Sequence, residues 1–357
     1  MVKHTAIAEE LRDKIRRREL DGRLPPQTEM ARDFDVNPTT MGKALRTLAD
    51  EGLLRRKPGL GTFVAESAVR HVTLAVMMGE LKGPLHARIL SAIQGEAAAD
   101  DAEILIRATR LSEDDELVHL RRYINGKHVE GLILWSVTDA LVEHLKLLRG
   151  VAMPFVAVVS PGVQSDREFS YVTNDDFHGG ALAVAHLAGL GHRRIAWVEP
   201  PAESGRTVHT LPRWEGCRHA MRARGLPLVG RVVARGQVGT GPLPAETVAE
   251  LRQFTGLVCY NDDLAWAAIQ GLRAAGARVP EDVSVVGYDD VAVAQSLGIT
   301  TVHQPIEEIG VEAVRILLER IEDPDLPPVH RCLKPELIIR KTTGPAAPRA
   351  PGIDSAN

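Results

Sequence analysis

Residues 36–64 read VNPTTMGKALRTLADEGLLRRKPGLGTFV. Asn37 is among the best helix N-caps, and Pro38 at the first helical position loses only an N–H that has no intrahelical partner anyway. The spacing predicts a helix to about Glu51, with Met41, Ala44, Leu45 and Leu48 turned inward and Gly52 in the left-handed position that ends helices. Leu53–Lys57 and Thr62–Val64 then read as two short strands around the tip Pro58-Gly59-Leu60-Gly61, a hairpin with basic residues on it.

Working toward the N-terminus, Ile7, Leu11, Ile15 and Leu20 recur at helical spacing among charges, which predicts an amphipathic helix over residues 4–19. Gly22 to Pro26 break it, and Thr28 is placed to cap a short second helix burying Met30, Ala31 and Phe34. Two helices at a tight turn followed by a basic hairpin describe a winged helix-turn-helix over residues 1–65. Its second helix enters the major groove and its wing lies along a phosphate strand.

The stretches Leu24–Ala31, Val36–Leu45, Glu51–Leu54 and Gly59–Val64 together resemble the reading head of the GntR family across nearly all of residues 5–64. The family often carries arginines where this chain has Thr28, Pro38 and Gly42, so the operator it reads differs. The resemblance implies double-stranded operator DNA as partner. It places Thr39, Thr40 and Lys43 in the groove, with Arg46, Arg56, Lys57 and the Gly59 backbone on phosphates. The competing reading of each cation is a solvated surface charge. Charge distribution agrees with a polyanion partner: residues 1–65 hold 13 Lys+Arg against 10 Asp+Glu, leaving 30 against 37 of the chain's 43 and 47 for the rest.

Residues 66–71 read as a linker. Beyond it strands and helices alternate: strand 72–78, helix 88–100, strand 102–106, a helix near Glu113–Ile124, strand 129–134, a helix from Asp139 and strand 155–159. A second series follows, with helix 178–190, strand 194–198, helix 214–224, strand 256–260, helix 264–275 and strand 283–288. No dinucleotide or P-loop glycine motif interrupts either series, and no cofactor is expected. Two successive doubly wound lobes with a crevice between them are the expected plan.

Gly191-His192-Arg193-Arg194-Ile195-Ala196, Val258–Asp263, Val279–Asp290, Thr300–Pro305 and Pro335–Arg340 follow one another at the spacing of the LacI-family effector domain. The resemblance covers residues 72–343. It implies a periplasmic-binding-protein-like sensor with parallel sheets behind the winged helix, an α/β chain in two parts, similar to bacterial arabinose repressors. LacI-type proteins also insert a helix between head and body; residues 65–71 are too short for it, so DNA reading rests on the winged helix alone.

A polyol needs donors and acceptors on rigid strand ends. Asn261 offers both, and Asp289 accepts from two hydroxyls. Arg213 matches the arginine of the family's R-x-x-G element, whose fork binds a hydroxyl or carboxylate bidentately. All three are expected at strand ends or in the loops after them, the alternative for Asn261 and Asp289 being a helix cap. Asp175, Trp135 and His86 are further ligand candidates; Asp175 also reads as a cap for the next helix and Trp135 as a core or hinge aromatic. The resemblance further implies a homodimer released from DNA by a small sugar, with corepression as the opposite sign of the same device.

Two rival readings remain to be weighed. An enzyme would use Asp262, Asp263, Asp289 and Asp290 as paired carboxylates, yet neighbours on one strand or loop point apart. A transport receptor, or a cytoplasmic sugar-binding protein without DNA regulation, leaves residues 1–65 without purpose. The chain shows no apolar run of membrane-spanning length and opens on a charged amphipathic segment, so a cytoplasmic location is expected. Cys217, Cys259 and Cys332 lack metal or disulfide spacing and read as buried thiols, and the histidines form no metal motif. Residues 344–357 read as a disordered tail.

Overall fold

The computed structural model describes residues 3–347 except 17–18, 21, 66–71, 80, 82, 110–117, 124–128, 136–152, 160–168, 202–206, 228–229 and 235–242. The linker, the helix expected from Asp139 and most of the 344–357 tail thus lie outside the described residues, and the helix near Glu113–Ile124 is described only over 118–123. Two compact units divide at Val72 and Thr73.

The first unit has helices α1 (Lys3–Arg16), α2 (Gln27–Asp33) and α3 (Pro38–Asp50) and the strands β1 (Leu54–Lys57) and β2 (Gly61–Val64). Asn37 caps α3 as its sequence demands, its side chain accepting from the Thr40 amide at 2.7 Å. Loss of such a cap typically costs about 1 kcal/mol. Ile7, Leu11, Ile15, Met30, Ala31, Met41, Leu45, Leu48 and Leu54 form one buried core. The capping role expected of Thr28 is not seen: α2 starts at Gln27, with Pro26 in the cap position and no side-chain cap. β1 and β2 pair antiparallel from Leu54–Val64 to Lys57–Gly61. Residues 22–24 add a third edge, with Leu24 N–H donating to the Thr62 carbonyl and Val64 N–H to that of Gly22.

The second unit runs β3 (Thr73–Met78), α4 (Pro84–Ala99), β4 (Glu103–Ala108), β5 (Gly131–Trp135), β6 (Phe155–Val158), β7 (Ser170–Asn174), α5 (Asp176–Gly189), β8 (Ile195–Glu199), α6 (Thr207–Ala223), β9 (Arg231–Val233), α7 (Ala245–Leu251), β10 (Gly256–Cys259), α8 (Asp262–Ala274), β11 (Ser284–Tyr288), α9 (Ala292–Leu297), β12 (Thr300–His303), α10 (Ile306–Glu322), β13 (His330–Leu333) and β14 (Glu336–Ile338). They make two six-stranded sheets, ordered β13-β7-β6-β5-β3-β4 and β14-β12-β11-β10-β8-β9. All pairings are parallel except β12 with β14. The central strands β5, β6, β10 and β11 are buried throughout, the continuous apolar runs of sheets covered on both faces.

The lobes are interleaved rather than successive, which corrects the expected plan. After the second lobe's β12 the chain returns, so that α10 packs on α4 and β13 extends the first sheet; β14 then goes back to the second. The chain crosses between lobes at 174–176, 303–306 and 333–336. Periodicity cannot show this, because a helix or strand carries no mark of which sheet it completes.

The end of the second unit is tied down further than expected. Gly344 N–H donates to Ser284 Oγ at 3.1 Å and Ala346 N–H to the Leu190 carbonyl at 2.9 Å. His186 and His192 serve this junction, meeting Thr343 Oγ1 at 2.9 Å and the Gly344 carbonyl at 3.0 Å. Burial lowers both imidazole pKa values. Cys217 and Cys259 are buried but Cys332 is exposed, against expectation, because β13 is an edge strand. Among the described residues no helix is long and apolar enough to cross a membrane, and no group of three or more His, Cys, Asp or Glu side chains is placed to hold a metal.

Candidate functional site

The chain offers two sites, one on each unit. On the first, Thr39, Lys43 and Arg46 are exposed along α3 and Thr40 is half-buried beneath the cap. Arg55, Arg56 and Lys57 are exposed on β1, and Gly59 turns the wing at φ +75° with exposed Leu60 beside it. Lys57 Nζ lies 5.0 Å from the centre of the Phe63 ring, which braces the wing cation. At Gly42 the Gln27 side chain fills the space where a Cβ would stand, 2.7 Å from Gln27 Nε2. That amide donates to the Pro38 carbonyl at 2.7 Å and so ties α2 to the start of α3.

On the second unit, polar side chains gather where the strands of the second lobe end and the chain crosses to the first. Asp289 follows β11 directly and Asn261 sits between Tyr260, after β10, and α8. Arg213 lies inside α6 rather than in a loop before it, which corrects its expected placement. It reaches the strand ends because two glycines let α5 and α6 touch: a Cβ on Gly180 would lie 2.0 Å from the Arg213 carbonyl oxygen, and one on Gly216 1.9 Å from that of Phe177. This explains the R-x-x-G spacing physically, the glycine setting the depth to which the arginine is driven.

The bidentate fork expected of Arg213 is engaged by the protein. Nε donates to Asp176 Oδ1 at 2.9 Å and Nη1 to the Tyr260 carbonyl at 2.8 Å, with Asp289 Oδ1 3.7 Å from Nη1. The guanidinium also lies 3.8 Å from the Tyr288 ring centre. Burial opposes its charge, but Asp176 foremost, with Asp289, outweighs burial and holds the pKa above its ordinary value. Asp176 was not among the candidates. Its Oδ1 takes the Tyr288 hydroxyl and Asn174 Nδ2 as well, each at 2.9 Å. The signal was the doublet Asp175-Asp176 at a strand-to-helix junction: one carboxylate caps, and the other needs a cation.

Asp175 caps α5, accepting from the His178 amide at 2.8 Å. Asn261 caps α8 through Oδ1, at 3.0 Å from the Leu264 amide, while among the described residues no acceptor meets its Nδ2. Asp289 is not a cap: Gln304 Nε2 donates to its Oδ1 at 2.5 Å, and no donor among the described residues reaches its other oxygen. Burial, opposed by Arg213 and Gln304, pushes its carboxyl up to about 6. Two of the carboxylates weighed for catalysis are engaged by the protein: Asp262 is held by the Thr301 hydroxyl at 2.6 Å and the Val291 amide at 2.9 Å, Asp290 by Arg340 at 2.6 Å and His303 at 3.1 Å.

In the first lobe the structure brings two candidates together. Trp135, at the end of β5, stacks on His86 of α4 with ring centres 5.1 Å apart. Two residues along α4, Arg88 bridges the lobes. It pairs with both oxygens of Glu307 at 2.6 and 2.8 Å and donates to the Asp289 and Asp290 carbonyls at 2.9 and 3.3 Å. Those two residues hold positive φ, +106° and +54°, which aims their carbonyls at the first lobe.

With both sites in place, their match to known proteins fits each unit separately. Residues 3–64 match the family described as bacterial regulatory proteins, gntR family, and residues 184–343 match the periplasmic binding protein-like domain; together these span more than half of the chain. The chain belongs to the class of regulators that join a GntR-type DNA-binding head to a LacI-type, periplasmic-binding-protein-like sensor. Within that class it resembles the arabinose metabolism transcriptional repressor of Geobacillus stearothermophilus, 27% identical over 343 residues that cover 90% of this chain and 92% of that one. Among solved structures, the transcriptional regulator CelR–cellobiose complex superposes with a TM-score of 0.64 at 27% identity, covering 89% of this chain and 100% of the other. A LacI family transcriptional regulator from Enterococcus faecium with bound ribose gives 0.60 at 27%, over 76% and 99%. The protein is a DNA-binding transcriptional regulator.

Proposed function

We propose that this regulator is a repressor that leaves its operator when a sugar or related polyol enters the crevice between the two lobes. The observation that carries the reading is an exposed basic helix and wing in the same chain as a sensor whose polar groups collect at the carboxyl ends of its parallel strands. Thr39, Thr40 and Lys43 meet base edges; Arg46, Arg56, Lys57 and the Gly59 backbone hold phosphates. Asp289, the Asn261 amide nitrogen and Arg213 Nη2 hold hydroxyls, and the stacked Trp135 and His86 offer a flat face to C–H groups. Asp175, committed to its cap, orders α5 instead. Arabinose, cellobiose and ribose, which the relatives' descriptions mention, direct the search to saccharides. The protein acts in the cytoplasm as a homodimer on a near-palindromic site, and the ligand shifts DNA affinity by the difference in its own affinity for two lobe angles. It performs no catalysis.

Fluorescence anisotropy of a labelled fragment from upstream of its own gene, with a sugar panel at two salt concentrations, tests this. One sugar abolishing selective, salt-sensitive binding is expected; a folded protein that binds no DNA in any condition would remove the reading. In the same assay Arg56→Ala with Lys57→Ala is expected to weaken binding about tenfold on every sequence. It should also flatten the salt slope by about two, one per lost phosphate contact.

Asp289 adds a pH dependence. Its native pKa near 6 exceeds the ordinary carboxyl value, so the folded state binds the proton more tightly and gains stability as pH falls from about 6 toward 4. Effector binding has the opposite sign, because a protonated Asp289 accepts less well. Calorimetric affinity is expected to fall several-fold between pH 7.5 and 5.5; a flat profile would take Asp289 out of the contact.

A further inference from the structure

We infer that the effector is an uncharged, hydroxyl-rich molecule gripped by the amide oxygens of Asn174 and Gln304, and that acidic or phosphorylated sugars are turned away. The inference rests on the reading that this cluster faces the ligand, and adds two residues and a charge rule to it.

Asn174, Asp176, Arg213, Asp289 and Gln304 form one polar chain. Asn174 Nδ2 donates to Asp176 Oδ1, Arg213 Nε donates to that same oxygen, Arg213 Nη1 faces Asp289 Oδ1 at 3.7 Å, and Gln304 Nε2 donates to that oxygen. Each end of the chain is a primary amide whose nitrogen faces a carboxylate. A carboxylate cannot donate, so both amides are fixed with nitrogen inward and oxygen outward. Those oxygens, Asn174 Oδ1 and Gln304 Oε1, are buried and meet no donor among the described residues. Their residues are 1% and 0% exposed and stand at two of the three crossings between the lobes. Buried acceptors are ordinarily satisfied, so a pair orphaned at the ends of one network marks where donors arrive.

Charge points the same way. Arg213 is matched by Asp176, with both side chains 4% exposed, so it offers no free positive charge. Arg88 is matched by Glu307 and Arg340 by Asp290. The buried carboxyl of Asp289 remains in excess of these pairs, while burial pushes the Asp262 carboxyl well above the usual carboxylate range, so Asp262 supplies neither a cation nor a full negative charge. A hydroxyl donates to the orphaned oxygens and to Asp289 while accepting from Asn261 Nδ2. A carboxylate or phosphate brings only further acceptors and a charge of the wrong sign.

The test uses the full chain and matched probes: L-arabinose, D-ribose, D-galactose, D-glucose and cellobiose, against D-galacturonate, D-glucuronate, ribose 5-phosphate and glucose 6-phosphate. Affinity is read by calorimetry and confirmed by DNA release. At least one neutral sugar is expected to bind, with its acidic or phosphorylated counterpart at least about a hundredfold weaker. A charged probe binding as tightly as its neutral parent overturns the inference while leaving a sugar-responsive repressor intact. Neither class binding would instead sink the crevice reading, and this inference with it. Asp176→Asn, which keeps an oxygen for the three donors but frees the Arg213 charge, is expected to narrow the neutral-to-uronate ratio at least tenfold. An unchanged ratio in folded variant protein counts against the charge rule, and the panel on the unaltered chain decides the matter even where the variant does not fold.

Discussion

Arg213→Met lowers the melting temperature of the sensor by roughly 6–20 °C, the largest effect expected of any single change in this protein. Asp176 would keep its bonds from Tyr288 and Asn174 but lose the one cation bonded to it among the described residues, and neither neutral donor balances a charge that is 4% exposed. Removing one partner of a buried ion pair costs on the order of 3–5 kcal/mol, because the survivor stays desolvated and unmatched. At about 2–4 °C per kcal/mol for a unit this large, the stated range follows. Pairing it with Asp176→Leu removes both charges, and part of the lost stability is expected to return, the remainder staying lost because the buried Tyr288 hydroxyl and Asn174 amide then lack their acceptor. Calorimetry on the full chain reads both variants. A shift of a degree or less in the single variant would mean that Arg213 and Asp176 are not coupled in solution.

Gly216→Ala is the second large effect, and its sign separates two arguments. Helix propensity favours Ala over Gly by about 1 kcal/mol in the interior of a helix such as α6. Packing opposes it: the new methyl would stand 1.9 Å from the Phe177 carbonyl oxygen, and no rotamer change moves backbone. Overpacking costs about 1–3 kcal/mol where side chains can yield and more where they cannot, so destabilisation wins by about 2 kcal/mol. Pushing α6 away also withdraws Arg213 from Tyr260 and Asp289, so ligand response is expected to weaken beyond the loss of stability. A higher melting temperature would show that α5 and α6 do not touch backbone to backbone.

Legibility differs between the two units for a physical reason. In the head, the decisive interactions are local. Asn37 and Pro38 set the start of α3, Gly52 its end, and Gly59 the wing, each within a few residues of what it controls. Pro26 displaced Thr28 as cap because a proline at the junction already holds the extended backbone the cap position uses. In the sensor, strands and helices were legible from apolar runs, and Asp289 and Asn261 fell where strand ends were expected. What stayed hidden depends on contacts distant in sequence: Asp176 meets Arg213 37 residues away and Tyr288 112 away. Gln304 and Asn174 matter only because the chain crosses between lobes beside them. Arg88 meets its carbonyls across some 200 residues. Asp175 and Asn261 both cap helices through a single side-chain oxygen, which leaves the Asn261 amide nitrogen for the ligand proposed above.

The interleaved course of the sensor sets the order in which the protein becomes complete on the ribosome. The head has all its strands once Val64 has emerged, but one sheet of the sensor waits for β13 and the other for β14, which ends at Ile338. At about 5–20 residues per second, that gap of some 270 residues lasts roughly 15–55 s. For that interval each nascent chain carries a finished DNA reader and an unfinished sensor, and a product truncated before β13 leaves both sheets of the sensor short of a strand.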